Sequence, residues 1–222
     1  LATVRWELAP RTRSLARTWD ADGLRDATWS DAPPSTVVIG TYYEAHFNAW
    51  YGLTVEDRRP DMATLQRAWL GFAHYPAQVR ATYPSLSELE GVDATRQEPL
   101  PLETIVAWSS RRPVWIEPEL LVSPDESAQC VPEGLMLRFV GTDPPPPVAE
   151  ALDRGWRRVT ARLDADGDVQ SRRFVLWRVF HLARLLAVSG RLDAARFYAA
   201  RALELAPSDP DIRDLAVRLG MA

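Results

Sequence analysis

Short apolar runs alternate with helix-like stretches along the first two thirds of the chain. Residues 35–40 (Ser-Thr-Val-Val-Ile-Gly) include a continuous apolar run that ends in glycine, which predicts a strand near residues 36–40 that is buried on both faces of a sheet. Further apolar runs predict strands near residues 62–66, 113–117 and 135–140. Because helix-like segments separate these runs, the pattern predicts an α/β fold with a small parallel or mixed four-stranded sheet and flanking helices.

Helices are predicted on either side of these strands. The segments 14–29, 44–56, 75–82 and 101–110 carry apolar residues at helical spacing. The segment 118–131 shows no such periodicity, and we predict that it is irregular.

A run of four prolines marks a change in the pattern. Residues 144–147 favour an extended polyproline conformation, which cannot continue a helix or a central strand. The chain after them has a helical pattern throughout. The sequence therefore predicts an α/β domain over 1–143, a proline linker over 144–147 and a helical region over 148–222.

The helical region has the spacing of a tetratricopeptide repeat. This pattern has a period of about 34 residues and fits the chain from Leu176 onward, with a glycine at the inter-helix turn and a proline after the second helix. The residues predicted to pack this hairpin are Leu182, Ala183, Gly190, Ala195, Ala199, Ala202 and Pro207. Since one repeat cannot bury its own apolar face, we expect it to pack on the α/β domain, on flanking helices or on a partner.

The densest group of polar side chains follows the first predicted strand. Ligands of doubly wound sheets bind beyond the carboxyl ends of strands, and this region supplies hydroxyl, carboxylate, imidazole and amide groups. The candidate ligand-binding residues are Thr41, Tyr42, Glu44, His46, Asn48 and Trp50. The alternative interpretation is a helix start, in which Thr41 caps the helix and Glu44 completes a capping box. Helix capping is the commoner explanation of such a pattern.

The sequence contains no recognisable catalytic or metal-binding motif. His46, His74 and His181 are scattered without paired spacing, and the acidic stretch 164–168 departs from a calcium loop after its first positions. Cys130, the single cysteine, has no adjacent base. Neither a nucleophile elbow nor a glycine-rich phosphate loop is present. We therefore expect no cofactor, no metal and no catalytic residue in this chain.

Composition and charge are those of an ordinary globular protein. The 222 residues are 46% hydrophobic and 25% charged, and the formal net charge is -4 at pH 7. Because nucleic-acid-binding domains are usually basic, we expect no nucleic-acid partner. No apolar run approaches the roughly 20 residues that a transmembrane helix needs. The chain begins with Leu1 and not with methionine, so we expect it to be a piece of a longer protein.

Several short motifs resemble those of one family of membrane proteins. They are Val-Val-Ile-Gly-Thr at 37–41, the aromatic helical segment 47–51, Arg-Pro-Asp-Met at 59–62, Arg-Pro-Val-Trp at 112–115 and Pro-Glu-Gly-Leu at 132–135. Together with the helical tail, these segments resemble the protein O-mannosyltransferase-like family of GT-C type. Members of that family are multi-pass membrane proteins.

The resemblance implies a place and a function for the chain. It identifies the chain as the extracytoplasmic C-terminal region of a glycosyltransferase-like membrane protein, on the periplasmic or cell-surface side of a bacterial membrane. Family catalysis is expected in the membrane portion, outside this chain, and Thr41 stands where the family often has aspartate. The resemblance thus implies a non-catalytic accessory domain that positions a protein or glycan acceptor, with the membrane-embedded portion of the same polypeptide as its partner.

Two other interpretations remain open. The chain could be a stand-alone tetratricopeptide-type interaction module, although such arrays usually stack at least three repeats. It could also be a small self-contained enzyme that uses the segment 41–48, although nucleophile and phosphate motifs are absent.

Overall fold

Strands and helices alternate from residue 37 onward. The computed structural model describes residues 28–29, 31–40, 43–54, 56, 58–86, 101–119, 122–166 and 169–221. Its strands are β1 (Val37–Gly40), β2 (Ala63–Gln66), β3 (Val114–Ile116), β4 (Cys130–Glu133) and β5 (Met136–Phe139). Its helices are α1 (Tyr43–Thr54), α2 (Tyr75–Thr82), α3 (Leu102–Ser109), α4 (Pro124–Ala128), α5 (Ala149–Asp166), α6 (Val169–Val188), α7 (Leu192–Leu205) and α8 (Pro210–Arg218). Nearly all of the helix predicted over 14–29 lies outside the described residues.

The strands form one mixed sheet in the order β2-β1-β3-β5-β4. β1 pairs in parallel with both β2 and β3, whereas β5 pairs antiparallel with β3 and with β4. The predicted α/β class is confirmed. The predicted number of four strands is wrong, because the sheet has a fifth strand.

The strand that the sequence pattern missed is β4. Its sequence, Cys-Val-Pro-Glu, contains a proline, which lacks the N–H that a central strand needs and is confined to sheet edges and bulges. β4 lies at the edge of the sheet, where Pro132 pairs with Leu137. Gly134 follows with a φ of 58°, as the first turn position of a type II′ hairpin requires. The segment 118–131, predicted to be irregular, contains α4 and the start of β4.

Both faces of the central strand β1 are covered. Val37 and Ile39 belong to the main core, which includes residues of α2, α3 and the C-terminal helices. Val38 belongs to a smaller cluster on the other face, together with Ala49 and Leu53 of α1. The continuous apolar sequence of β1 therefore reflects a strand that contacts helices on both sides.

The helices after the tetraproline share the core of the sheet. One continuous cluster of buried side chains includes residues of the strands and of α5, α6, α7 and α8. α6 packs along α7, and α7 packs against α8. The residues predicted to pack the α6–α7 hairpin that are fully buried are Leu182, Ala183, Ala195, Ala199 and Ala202. Gly190 has a φ of 76° in the turn between α6 and α7, and Pro207 lies in the turn before α8.

Polar contacts also join the helical tail to the β4–β5 hairpin. The Tyr198 hydroxyl of α7 donates a hydrogen bond of 2.7 Å to the Gly134 carbonyl oxygen. Arg191 donates to the carbonyl oxygens of Cys130 and of Ala128, the second at 2.9 Å. Gly155 of α5 approaches so closely that a Cβ on it would lie 2.6 Å from the Gly134 Cα. The hairpin is thus one of the places where the tail is attached to the sheet.

None of the described helices combines the length and the apolar character needed to cross a membrane.

Candidate functional site

The carboxyl ends of the parallel strands meet at one edge of the sheet. β2 and β3 lie on opposite sides of β1, so the winding of the chain reverses beside β1. Ligands of open α/β sheets bind at such a switch point. In this protein the position holds five buried ionisable residues, which we call the edge cluster: Arg67, Glu117, Glu119, Glu126 and Arg178.

Two buried ion pairs form most of the edge cluster. Arg67, directly after β2, binds both carboxylate oxygens of Glu126 in α4, with 3.0 Å between Nη1 and Oε2. Arg178 of α6 donates to Glu117, directly after β3, and its Nη1 lies 3.4 Å from the Sδ of Met136. All four charged side chains are at most 5% exposed. The pairs therefore hold α4 and α6 against the sheet edge.

Glu119 is the unpaired acid of the edge cluster. Its side chain is buried, and its Oε1 has no hydrogen-bond partner among the described residues. Burial raises the pKa of Glu119 to about 8, and the charges of Glu117 and Glu126 act in the same direction against that of Arg67. At neutral pH the Glu119 carboxyl therefore keeps its proton, and the edge cluster as a whole is close to neutral.

Gly40, the last residue of β1, leaves room for one of these carboxylates. A Cβ at Gly40 would lie 3.2 Å from Glu117 Oε2. The glycine at the end of the first apolar run thus permits a buried charge beside the backbone.

The edge cluster is closed to solvent as well as electrically balanced. Each ion pair joins one positive and one negative side chain, so the charge of each pair is balanced. The protonated Glu119 is buried beside them. Catalysis by acids and bases needs groups within hydrogen-bond reach of a substrate, which this buried arrangement does not offer. No group of three potential metal ligands occurs in the part of the chain that the structure describes.

Two of the six ligand-binding residues predicted from the sequence have described side chains. Thr41 and Tyr42 lie outside the described residues, and so do the side chains of Glu44 and Asn48 in α1. The two that can be placed are His46, which is buried, and Trp50, which is 44% exposed.

His46 is a packing residue in this structure. Its ring lies edge-on to Trp69 with 5.3 Å between centroids, and its Nδ1 is 3.5 Å from the Thr64 hydroxyl. Burial lowers the pKa of His46 to about 4, so the imidazole is neutral at pH 7. Its position fixes α1 against β2 and does not present the ring to a ligand.

Three aromatic side chains are exposed on α1. Phe47, Trp50 and Tyr51, which we call the α1 aromatic patch, are 54%, 44% and 45% exposed. Their spacing of three and four residues makes them neighbours on one side of the helix. The Phe47 ring extends this surface to Trp69, with 5.6 Å between their centroids. Exposed apolar clusters of this kind are typical of interaction sites.

Cys130 and His181 are also buried. Cys130 donates to the Glu126 carbonyl oxygen at 3.2 Å, and burial raises the pKa of its thiol far above neutrality. Burial lowers the pKa of His181 to about 4. Cys130 is therefore a thiol that packs in the core and not an activated thiolate.

The Arg-Pro-Asp-Met motif has a structural role. Arg59 donates to both carboxylate oxygens of Asp61 at 2.9 Å and to the carbonyl oxygens of Ala32 and Pro33. Asp61 in turn accepts from the N–H of Ser35, whose φ is 63°. The Arg59 hydrogen bonds lower the pKa of Asp61 to about 2. The motif thus ties the turn before β1 to the turn before β2.

Sequence reasoning missed the edge cluster, although a signal for it was present. Glu117 is the last residue of a predicted strand and Glu119 comes two residues later, and Arg178 interrupts an apolar stretch of the predicted helical region. Charged residues in such positions indicate buried ion pairs. The partners themselves are 59 and 61 residues apart in the chain, so only the fold identifies them.

No protein-family model, no curated protein and no solved structure matches this chain. The class of the protein therefore follows from its fold: it is an α/β protein with a mixed five-stranded sheet and a helical tail that packs on the sheet. The edge cluster is buried at the carboxyl ends of the parallel strands.

Proposed function

We propose that this chain is a non-catalytic accessory domain that docks a protein partner through the α1 aromatic patch. The observation that carries the proposal is the exposure of Phe47, Trp50 and Tyr51 on one side of a helix whose other side packs on the sheet. Aromatic residues are enriched at the centres of protein interfaces, where they bury large areas.

The chemistry of the described residues supports a binding role over a catalytic one. The edge cluster is buried and balanced, and the described histidines with lowered pKa values, His46 and His181, pack in the interior. The family resemblance supplies the rest of the proposal. In it the partner is the membrane-embedded portion of a glycosyltransferase-like polypeptide on the extracytoplasmic side of a bacterial membrane, and the domain positions a protein or glycan acceptor.

The helical tail is part of the same proposal, as a tetratricopeptide-like hairpin. This assignment is supported by the buried alanines of α7, by the positive φ of Gly190 and by the proline that follows α7. The tail packs on one face of the sheet and α1 packs on the other. An interaction surface on α1 is consistent with that division.

Site-directed photo-crosslinking in native membranes tests the docking surface. A photoreactive phenylalanine analogue at Trp50 of the full-length polypeptide should crosslink to extracytoplasmic segments of its own membrane-embedded portion, because Trp50 lies in the proposed interface. The same analogue at Val188, which is 66% exposed on α6, is the matched control and should give no such product. Equal crosslinking from both positions, or none from Trp50, would contradict the proposal.

An activity assay tests the non-catalytic part separately. The purified protein should not turn over polyprenyl-phosphate sugars or generic ester and glycoside substrates. Turnover that is lost in both Glu44→Gln and His46→Ala would instead support an enzyme that uses the segment 41–48.

A further inference from the structure

The buried side chains of α4 are both polar. They are Glu126 and Ser127, and the other three residues of the helix are exposed. Glu126 binds Arg67 through both carboxylate oxygens, whereas the Ser127 hydroxyl donates to the Pro124 carbonyl oxygen within the same helix. Because α4 buries no apolar side chain, the Arg67–Glu126 pair is the main side-chain contact that holds it against the sheet edge.

Glu119 adds a third carboxyl group to the two ion pairs of the edge cluster. The charges that act on it are those of Arg67 after β2, Glu117 after β3 and Glu126 in α4. From α6 the cluster receives Arg178, which pairs with Glu117. Three buried carboxyl groups thus share two cations, so one of them must be neutral while the edge stays closed.

The closed arrangement leaves two complementary polar atoms without partners. Arg67 Nε and Glu119 Oε1 are both buried, and neither makes a hydrogen bond among the described residues. Buried groups of this kind normally have a partner, because leaving them without one costs free energy. A Glu119 carboxylate bound to the Arg67 guanidinium would satisfy both atoms, since the two groups match in charge and geometry.

From these contacts we infer that Glu119 and Glu126 compete for Arg67, and that loss of the Glu119 proton to solvent releases α4 from the sheet edge. The Glu119 carboxylate takes the place of Glu126 on Arg67, so the buried charges stay balanced. Glu126 moves into water with α4, which then loses its helical hydrogen bonds because isolated helices this short are unstable. Release uncovers the carboxyl ends of the parallel strands. The exchange does not involve the α1 aromatic patch and does not depend on the function proposed for it.

The neighbours of α4 keep their apolar contacts during this exchange. α6 contributes Val175, Val179 and Leu182 to the main core. Val122 before α4 and Cys130 after it belong to the same core. The opening is therefore confined to the segment between residues 122 and 130.

Hydrogen exchange of the α4 amides measures the release. The N–H groups of Ser127 and Gln129 donate to the carbonyl oxygens of Ser123 and Glu126 and are protected while α4 is formed. Burial raises the pKa of Glu119 to about 8, so the closed form weakens as pH rises from the ordinary value of about 4.5 through this window. After correction for the intrinsic exchange rate, we expect protection at least about tenfold lower at about pH 8 than at about pH 5.5.

Glu119→Gln is the decisive variant, because glutamine carries no charge with which to displace Glu126 from Arg67. Its α4 amides should be equally protected at both pH values, and Glu119→Met, which also cannot ionise, should behave in the same way. Glu150→Gln changes an exposed glutamate of α5 and is the matched control, which should follow the unchanged protein. Equal protection at both pH values in the unchanged protein, or the same decline in the two Glu119 variants, would overturn the inference.

Low concentrations of urea separate the release of α4 from unfolding of the whole chain. Local opening exposes little surface, so exchange of the α4 amides should be nearly constant up to about 1 M urea. The amides of α7, a helix with fully buried alanines, should exchange faster as global unfolding becomes easier. An equal urea dependence for α4 and α7 would show that α4 opens only when the protein unfolds, which would contradict a local release.

Discussion

At the scale of single residues, burial changes what the ionisable side chains can do. Glu119 illustrates this, because it is an acid whose pKa is raised to about 8 by loss of water and by the nearby charges of Glu117 and Glu126. Asp61 shows the opposite effect, since its hydrogen bonds with Arg59 lower its pKa to about 2. The two residues have the same functional group, and their contacts alone set them apart.

Replacement of Glu119 by glutamine should change how stability depends on pH. In the folded protein Glu119 keeps its proton up to about pH 8, whereas in the unfolded chain it loses it near 4.5. The folded state therefore binds more protons between these values, and the stability of the unchanged protein falls as pH rises through this window. Glutamine does not titrate, so Glu119→Gln should lack this loss.

Urea unfolding of both proteins from pH 4 to pH 9 measures the effect. The unfolding free energy of the unchanged protein, relative to that of Glu119→Gln, should decline across the window and level off above about pH 8. Parallel profiles would show that Glu119 ionises in the folded protein as it does in the unfolded one.

At the scale of elements, local signals fix the ends of helices and packing fixes their faces. Asp209 caps α8 by accepting from the N–H groups of Asp211 and Ile212 at 3.0 and 3.2 Å, and Pro210 occupies the first turn. In the α6–α7 hairpin the fully buried Ala195, Ala199 and Ala202 let the two helices approach closely. Small residues are needed there because larger ones have no space.

The alanines of α7 give a prediction about this element. Ala199→Leu should lower the unfolding free energy by about 1–3 kcal/mol, because it adds bulk to a filled helix contact. Thermal melts compare it with Val217→Leu, which adds bulk at a position of α8 that is 62% exposed and should leave the midpoint nearly unchanged. An unaltered midpoint in Ala199→Leu would rule out close packing at this position.

At the scale of the whole molecule, buried polar contacts join parts that are distant in sequence. The Arg178–Glu117 pair connects α6 in the tail to the end of β3, and Tyr198 connects α7 to the β4–β5 turn. The hydrophobic core is also continuous across the predicted boundary at 144–147. The tail and the sheet therefore stabilise each other.

The Arg178–Glu117 pair provides a test of this connection. Arg178→Met should destabilise the protein by about 3–5 kcal/mol, because the buried Glu117 charge would lose its Arg178 counter-charge. The double variant Arg178→Met, Glu117→Leu should recover much of the loss, since a buried pair can be replaced by apolar residues at little cost. Denaturant unfolding measures both.

A surface pair is the control for that experiment. Arg157→Met removes an exposed pair with Asp153 and should cost less than about 1 kcal/mol. A single variant Arg178→Met that is no less stable than Arg157→Met would show that the buried pair does not hold the tail to the sheet.

The sequence by itself determined the elements whose signals are local. Apolar runs predicted β1, β2, β3 and β5, and helical periodicity predicted α1, α2 and α3, because strands and helices repeat over a few residues. Only the tertiary structure decided the rest. The edge strand β4, with Pro132 in it, has no clear pattern of its own and exists because β5 pairs with it.

The candidate sites follow the same division. The sequence identified the polar and aromatic residues around α1, but the fold decided that His46 is buried and Trp50 is exposed. The edge cluster depends on residues that lie far apart in the chain. Contacts of this kind form only when the sheet and the helical tail pack together, and no local pattern encodes them.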